Sequence, residues 1–429
     1  MSTFTARGLM CVAMTLTALS SFPALAELPT HRRAALLGPR AAEAGLPNEE
    51  NLPQSPDFGA AVAIRDGIAF VGIPNAVPNS HVAVYAETAT GWQRTATLTV
   101  PDAVPVGFRS NGFGRAITFR DGLAVIGSYS FVHVFRRVNG VWTDVQKLAP
   151  PPQPSPTGPD FWKISAMRYE NGILAIGWNH FAGSLVHVYE LASTGKLVKR
   201  ATLRASDGTT GFGVDVATAG NVLVVGANGA AYVFRRRSDG TWARTQKLIG
   251  ADSSPVSSFG AAVAIDQGMI IVGAPEHDCV GGDNGVFCSG GSPNGAGAGG
   301  AAYGFVPFSG QFVQVFKLRP GSNEHSNYWH FGRRIAMMGK FVVIDAAEQV
   351  FLGDPDFFNQ PPGIAFTYTR DGSTLTARGL APGYVLSDSM GLANNWLLVG
   401  SRFNKGFCLT LLGACFGEAR VFDLNRFVK

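Results

Sequence analysis

The feature that most limits the possible folds is a segment that recurs seven times with one fixed internal spacing. Its first positions are Phe58, Phe113, Lys163, Phe212, Phe259, Phe331 and Leu386, and each of these phenylalanines is followed by glycine. The residues fourteen positions later are Gly72, Gly127, Gly177, Gly226, Gly273, Asp345 and Gly400. A fixed period over most of a chain indicates one supersecondary unit stacked on copies of itself, so we expect a single repeat domain.

Each copy is typical of four short antiparallel strands. A pair of turn residues divides its first half into two apolar runs, and these residue types tolerate the positive φ of two-residue hairpins. The pairs are Asp66-Gly67, Asp121-Gly122, Asn171-Gly172, Gly220-Asn221, Gln267-Gly268, Gly339-Lys340 and Asn394-Asn395. Two further strand-like runs follow, and the last often starts with an aromatic residue and ends with leucine, as Trp242 and Leu248 do.

The first strand of each copy alternates a bulky face with a small one. Its fifth position is apolar in all seven copies, whereas its fourth is small except at Asp215 and Arg334. Such wedges suit blades that crowd around an axis, and 53 glycines with 25 prolines suit many tight turns. We therefore predict an all-β fold, a seven-bladed β-propeller of four-stranded blades over residues 27–429.

The seventh copy ends after its third strand. The mature N-terminus contains residues 33–38, which resemble the fourth-strand segment 245–250, and residues 32–37 are the proposed closing strand. We expect this N-terminal segment to pair with the last C-terminal strand, complete the seventh blade and cover its exposed edge.

The copies resemble FG-GAP repeats, the blades of integrin α-subunit heads and of many exported bacterial proteins. The clearest copy runs from Ser258-Phe259-Gly260 through Val272-Gly273-Ala274-Pro275 to Ala301-Ala302-Tyr303. The resemblance implies a propeller with a ligand-binding or adhesive role, but it assigns no ligand. Integrin-type calcium loops are not expected, because two-residue turns replace the loops of about a dozen residues that usually supply six to eight oxygens.

Residues 1–26 are typical of a cleavable export signal. Arg7 precedes an apolar run from Leu9 to Leu19, and Ala24-Leu25-Ala26 supplies small residues for cleavage. We therefore expect an exported protein, periplasmic or secreted, without a membrane span and monomeric. The net charge of +5 comes without a long basic run, so nucleic acid is not an expected partner.

Four cysteines remain once Cys11 leaves with the signal. Their separations favour Cys279–Cys288 and Cys408–Cys415 disulfides, which an oxidising compartment would allow. Zinc is the alternative, but neither pair has the spacing of a cysteine knuckle. We predict no metal and no cofactor.

No nucleophile elbow, zinc-protease motif, phosphate-binding loop or dinucleotide fingerprint occurs, so no catalytic residue is predicted. Three weaker features remain open to two interpretations each. Asp278, Asp283 and Asn284 could bind a cation or form solvated loop surface, as could His325 and His330. Trp178, His180 and Phe181 could form a sugar-stacking platform or an aromatic plug.

Loop length predicts the working face. The segments 274–300, 346–363 and 401–417 are long, irregular and expected on one rim of consecutive blades, and binding residues concentrate on such loops. The predicted ligand-binding residues are His277, Asp283, Asp356, Phe357, Phe358, Arg402 and Phe403. We expect a recognition, adhesion or scaffolding protein for an extracellular protein or surface glycan. The alternatives are a carbohydrate-active enzyme that uses acidic loop residues such as Asp354 and Asp356, and a purely structural envelope protein.

Overall fold

Seven antiparallel sheets make up the protein, as seen in a computed structural model. It describes residues 43–45, 57–76, 79–105, 108–152, 162–253, 257–277, 299–319, 328–348, 362–385, 389–409 and 414–427. The predicted propeller of four-stranded blades is confirmed, and its blades are numbered here in the order of the seven repeats. Among the described residues, no helix has the length and apolar character that crossing a membrane requires.

Blades 1 to 6 are each built from consecutive strands, whereas blade 7 combines both ends of the chain. Blade 1 contains β2 (Val62–Arg65), β3 (Ile68–Ile73), β4 (His81–Thr88) and β5 (Gly91–Leu98). Blade 2 contains β6 (Ala116–Arg120), β7 (Leu123–Gly127), β8 (Val132–Val138) and β9 (Val141–Leu148). Blade 3 contains β10 (Lys163–Glu170), β11 (Ile173–His180), β12 (Gly183–Leu191) and β13 (Leu197–Leu203). Blade 4 contains β14 (Val216–Ala219), β15 (Val222–Ala227), β16 (Ala230–Arg236) and β17 (Trp242–Leu248).

The remaining blades depart slightly from this plan. Blade 5 contains β18 (Ala262–Asp266), β19 (Met269–Ala274), β20 (Ala301–Phe308) and β21 (Gln311–Leu318). Blade 6 contains β22 (Tyr328–Trp329), β23 (Ile335–Met338), β24 (Phe341–Glu348), β25 (Pro362–Asp371) and β26 (Thr374–Val385). Blade 7 contains β27 (Ser389–Ala393), β28 (Trp396–Leu409), β29 (Ala414–Asp423) and β1 (Glu43–Gly45). The short β22, which sequence analysis did not predict, pairs with the end of β24.

The seven predicted hairpins form at the predicted turn residues. The first turn residue has positive φ in every copy, from +44° at Gln267 to +56° at Gly220 and Gly339. In four copies the following glycine is also at positive φ, which gives the type I′ geometry whose twist matches the strands.

The Phe-Gly pairs and the glycines fourteen residues later meet between blades. Within blade 5, the Gly260 N–H donates to the Gly273 carbonyl at 2.9 Å. A methyl group on Gly273 would lie 1.9 Å from the carbonyl oxygen of Gly332 in blade 6. Similar clashes would occur for Gly72 with Gly114, Gly177 with Gly213, Gly226 with Gly260 and Gly400 with Gly59. The repeated glycine is therefore required because adjacent backbones touch there.

The core lies between the blades. In the cluster shared by blades 7 and 1, the bulky Val62 and Ile64 pack with Leu398 and Val421. The small face of the same strand, Ala61 with Ala63, instead packs in the cluster of blades 1 and 2. The predicted alternation of small and bulky faces is what lets adjacent wedges pack closely.

The N-terminus closes the ring, as predicted, but through a different segment. Glu43, Ala44 and Gly45 pair antiparallel with Phe422, Val421 and Arg420 of β29. Residues 32–37, which sequence analysis proposed for this role, lie outside the described residues. The edge that they were expected to cover is occupied by β1.

The segment 401–417 was expected to be an irregular loop, and the structure corrects this. Strand β28 continues to Leu409 and β29 begins at Ala414, so Arg402 and Phe403 lie in a strand. The register shifts on both sides of Asn404, and these irregularities break the alternation that would have revealed the strands in the sequence.

Candidate functional site

Topology separates the connections onto two rims. The first-to-second and third-to-fourth strand turns lie on one rim, here the short-turn rim. The second-to-third strand connections and the links between blades lie on the other, here the long-loop rim. The longest second-to-third strand connections on this rim follow β19 in blade 5 and β24 in blade 6, and their length was part of the basis for predicting a working face.

Few of the predicted ligand-binding residues can be placed. Asp283, Asp356, Phe357 and Phe358 lie outside the described residues, as do Cys279 and Cys288. The backbones of Arg402 and Phe403 belong to β28. Only the side chain of His277 is placed in detail.

His277 is buried rather than displayed at the surface. Its side chain accepts or shares hydrogen bonds with Tyr303 Oη at 3.2 Å, Lys317 Nζ at 2.5 Å and Arg319 Nη2 at 2.8 Å. The same Tyr303 hydroxyl donates to Asp252 at 2.9 Å, and Lys317 donates to Asp252 at 2.6 Å. His277 therefore joins a network that ties the link entering blade 5 to that blade.

This network is one of three linker clasps. In each, an aspartate of the link that enters a blade contacts a histidine or tyrosine of the third strand and a lysine of the fourth. The three sets are Asp102–His133–Lys147, Asp207–Tyr232–Lys247 and Asp252–Tyr303–Lys317. Burial alone would raise the pKa of Asp252, but hydrogen bonds from Lys317 and Tyr303 lower it.

The structure places some of the residues for which the sequence left two interpretations open. Trp178 is 1% exposed and lies inside β11, so it is a core residue. His330 Nδ1 lies 3.0 Å from Glu276 Oε1, which makes an ion pair between blades 6 and 5 when the ring is protonated. His325, Asp278 and Asn284 lie outside the described residues.

An aromatic stack rises to the long-loop rim in blade 3. The Trp162 indole N–H donates to the Pro152 carbonyl at 3.0 Å, and its ring lies 5.1 Å from the buried His180 ring. The His180 ring lies 4.3 Å from that of Phe181, which is 77% exposed. We call Trp162, His180 and Phe181 the rim stack.

The first strands of all seven blades surround a central channel with a cavity of about 420 Å³. Glu170 and Asp215 are the only acids among its described lining residues. The arginines of the lining are Arg65, Arg115, Arg120, Arg168, Arg333 and Arg334. The described lining therefore carries more positive than negative charge.

Asp215 is the most perturbed acid of the channel. Its Oδ1 accepts the N–H of Val216 at 2.9 Å, and its Oδ2 accepts the N–H of Val263 in the next blade at 2.8 Å. Burial raises the pKa of Asp215 to about 6, although these donors and the charges of Arg334 and Arg168 oppose the rise.

One copy of the repeat also matches a known family of sequence repeats. The FG-GAP repeat profile matches residues 242–287, from the last strand of blade 4 into blade 5. The chain is a seven-bladed propeller that contains an FG-GAP repeat, and it is called the FG-GAP propeller below. None of the curated proteins matches its sequence significantly.

Solved structures share the fold of this FG-GAP propeller at low sequence identity. A Bacteroides uniformis protein proposed to be a 6-phosphogluconolactonase is 13% identical with a TM-score of 0.50, over 76% of this chain and 86% of its own. A chain of the mitotic checkpoint complex is 11% identical with a TM-score of 0.50, over 90% of this chain and 96% of its own. At such identities the likeness concerns the fold alone.

Two features of the FG-GAP propeller escaped sequence analysis. The linker clasps have a spacing signal, since Asp102, Asp207 and Asp252 each follow the final leucine of a fourth strand by four residues. The channel has a weaker signal, namely charged residues at positions of the first strand that are otherwise small.

Proposed function

We propose that this FG-GAP propeller is an exported recognition protein that binds a surface glycan or an extracellular protein through its long-loop rim. The observation that supports this proposal is the rim stack. Phe181 is 77% exposed at the tip of a two-residue connection, yet its ring rests on the buried His180 ring. A fixed, exposed aromatic face on a rigid scaffold suits stacking against a sugar ring or an apolar side chain.

The propeller supplies the rigidity that such a platform needs. His180 is 8% exposed and its Nδ1 accepts the N–H of Ala182 at 3.1 Å, so the residue beneath Phe181 is held on both sides. Trp162, which is 5% exposed, anchors the stack to the link that enters blade 3. Preorganised aromatic residues cost little conformational entropy when a ligand binds.

A matched pair of variants tests the proposal. Phe181 lies on the long-loop rim, whereas Phe308 is 68% exposed beside the short turn between β20 and β21 on the other rim. Ligands are first identified on a glycan array and by pull-down from the exported fraction. Phe181→Ala should weaken capture at least several-fold, and Phe308→Ala should leave it unchanged, with both melting curves intact.

A second, triple variant tests three of the ligand-binding residues that the sequence predicts. Combined alanine changes at Phe357, Phe358 and Arg402 should also weaken capture without changing the melting curve. Capture that survives both the Phe181 and the triple variant, but is lost in Phe308→Ala, would place recognition on the short-turn rim and overturn the proposal.

A further inference from the structure

Three charged residues break a rule that the propeller otherwise keeps. The fourth and sixth positions of each first strand face the next blade, and eleven of these fourteen positions hold Ala, Gly, Ser or Thr. The exceptions are Arg168, Asp215 and Arg334, and all three line the central channel. Because eleven equivalent positions pack with small residues, closing the ring does not require these charges. Departures of this kind are expected at functional sites.

Arg168 of blade 3 and Arg334 of blade 6 both act on Asp215 of blade 4. Both Arg334 and Arg168 are close enough to Asp215 to lower its pKa, against the larger effect of burial. Arg168 Nη2 also lies 3.6 Å from Glu170 Oε2, while Arg120 Nη1 lies 2.9 Å from Glu170 Oε1. Glu170 thus forms ion pairs with two guanidinium groups, so an excess of positive charge remains near Arg168.

We propose that the central channel is a binding site for a small molecule with an oxyanion group, which Arg168 and Arg334 hold beside Asp215. A guanidinium group matches a carboxylate or phosphate through two parallel hydrogen bonds, so two arginines in one cavity favour such a ligand. The cavity of about 420 Å³ lies in the range of small-molecule sites. This site is separate from the rim stack and does not depend on the function proposed for the rim.

Asp215 gives the site a pH dependence. Its surroundings are the N–H groups of Val216 and Val263, with Arg168 and Arg334 as the charged neighbours that act on it. The other charged groups of the described lining are Arg65, Arg115, Arg120, Glu170 and Arg333. When Asp215 takes up a proton near pH 6, its repulsion of an anionic ligand disappears, so binding should tighten as the pH falls from 7 to 5.

Calorimetric titration of the full mature chain tests this site with four probes. Glucuronate carries a carboxylate where glucose carries a hydroxymethyl group, so this pair tests the need for an anionic group. Citrate and inorganic phosphate distinguish carboxylate from phosphate recognition. We expect at least one oxyanion to bind, glucose not to bind, and tighter binding at pH 5 than at pH 7 for a probe whose charge is constant over that range. Arg168→Gln with Arg334→Gln should weaken binding at least about tenfold, the scale of a charge-assisted hydrogen bond. Arg137→Gln, an exposed arginine on β8, is the control.

Further variants separate recognition from folding. Arg334→Lys keeps the charge and should bind more tightly than Arg334→Gln, and Asp215→Asn should remove the pH dependence while retaining binding. The proposal is overturned if none of the three oxyanions binds, if glucose binds as well as glucuronate, or if the double variant binds like the parent. Binding that survives in Phe181→Ala but is lost in the double variant would keep the two sites distinct.

Discussion

At the scale of single residues, two histidines at one blade position illustrate how neighbours decide chemistry. His133 and His187 occupy the same place in the third strands of blades 2 and 3. Burial would lower the pKa of His133, but hydrogen bonds to Asp144 at 2.7 Å and Asp102 at 2.8 Å raise it. Burial lowers the pKa of His187 to about 4, helped by the charges of Lys199 and Arg204.

The difference follows from the link that enters each blade. Asp102 stands four residues after the final leucine of the preceding fourth strand, whereas Pro152 stands at that place before blade 3. The linker clasp of blade 2 therefore places an aspartate beside its histidine. The pKa of His187 is instead governed by burial and by the positive charges of Lys199 and Arg204. Sequence spacing could have predicted this contrast, because each aspartate stands four residues after the final leucine of one blade and its lysine stands directly before the final leucine of the next.

These opposite shifts predict opposite pH dependences of stability. His133 stabilises the fold below its unfolded pKa of 6.5, and this contribution is lost as the pH rises through its raised folded value. His187 contributes above 6.5, and its contribution is lost as the pH falls towards 4. In urea titrations, His133→Gln should therefore cost more at pH 6 than at pH 9. His187→Gln should cost more at pH 7 than at pH 4.5, and equal pH profiles for the two variants would contradict this assignment.

At the scale of strands and turns, the sequence predicts those elements whose residues have a local reason for their type. The hairpin turns follow from residues that accept positive φ, and the blade contacts follow from glycines with no room for a methyl group. The extension of β28 to Leu409 was missed because irregular register around Asn404 hides the alternation. The channel was missed because Arg168 and Arg334 are far apart in sequence and line one cavity only in the closed ring.

Asp345 shows that both sides of the repeat contact can change together. It replaces the glycine in blade 6, and the following copy begins with Leu386-Ser387 instead of Phe-Gly. Both departures therefore fall on the one contact between blades 6 and 7. The buried Asp345 carboxylate lies 3.7 Å from Arg333 Nε, so a polar contact is present where five other blade junctions have two glycines.

The glycine contact predicts a steric penalty that can be separated from turn effects. Gly226→Ala places its new carbon 2.1 Å from the Gly260 carbonyl oxygen, so blades 4 and 5 must move apart. We expect a loss of about 1–3 kcal/mol in the free energy of unfolding, the usual cost of overpacking. Gly220→Asn is the control, since Gly220 has open space and a φ of +56°, and Asn394 holds the equivalent turn position at +50°. Urea unfolding should give a much smaller change for the control, and equal losses would contradict the steric explanation.

The cysteine pairing remains a prediction at the same scale. Cys408 lies on β28 and Cys415 on β29, each next to the register pair Leu409–Ala414. This backbone register is compatible with the expected Cys408–Cys415 disulfide, and Cys279–Cys288 is expected from spacing alone. Non-reducing peptide mapping of the exported protein should find both bonds. Free thiols or cross-pairing between the two sets would refute the prediction.

At the scale of the whole molecule, closure depends on both ends of the chain. The packing of blade 7 against blade 1 buries Leu398 and Val421 with Val62 and Ile64. The outer edge of blade 7 is covered by β1, so the N-terminal segment fixes the final strand of the ring. An uncovered β29 would present unpaired backbone groups that favour edge-to-edge association.

Two truncations therefore distinguish which N-terminal segment closes the ring. Removing residues 27–45 deletes Glu43–Gly45 and should lower the melting temperature by several degrees, because the pairing with Arg420, Val421 and Phe422 is lost. Removing only residues 27–40 leaves β1 in the chain and should leave the melting temperature nearly unchanged. Differential scanning calorimetry measures both, and light scattering should detect association of the longer truncation alone. A large loss on removing residues 27–40 would instead support closure by residues 32–37, and no loss in either truncation would show that the ring is stable without an N-terminal strand.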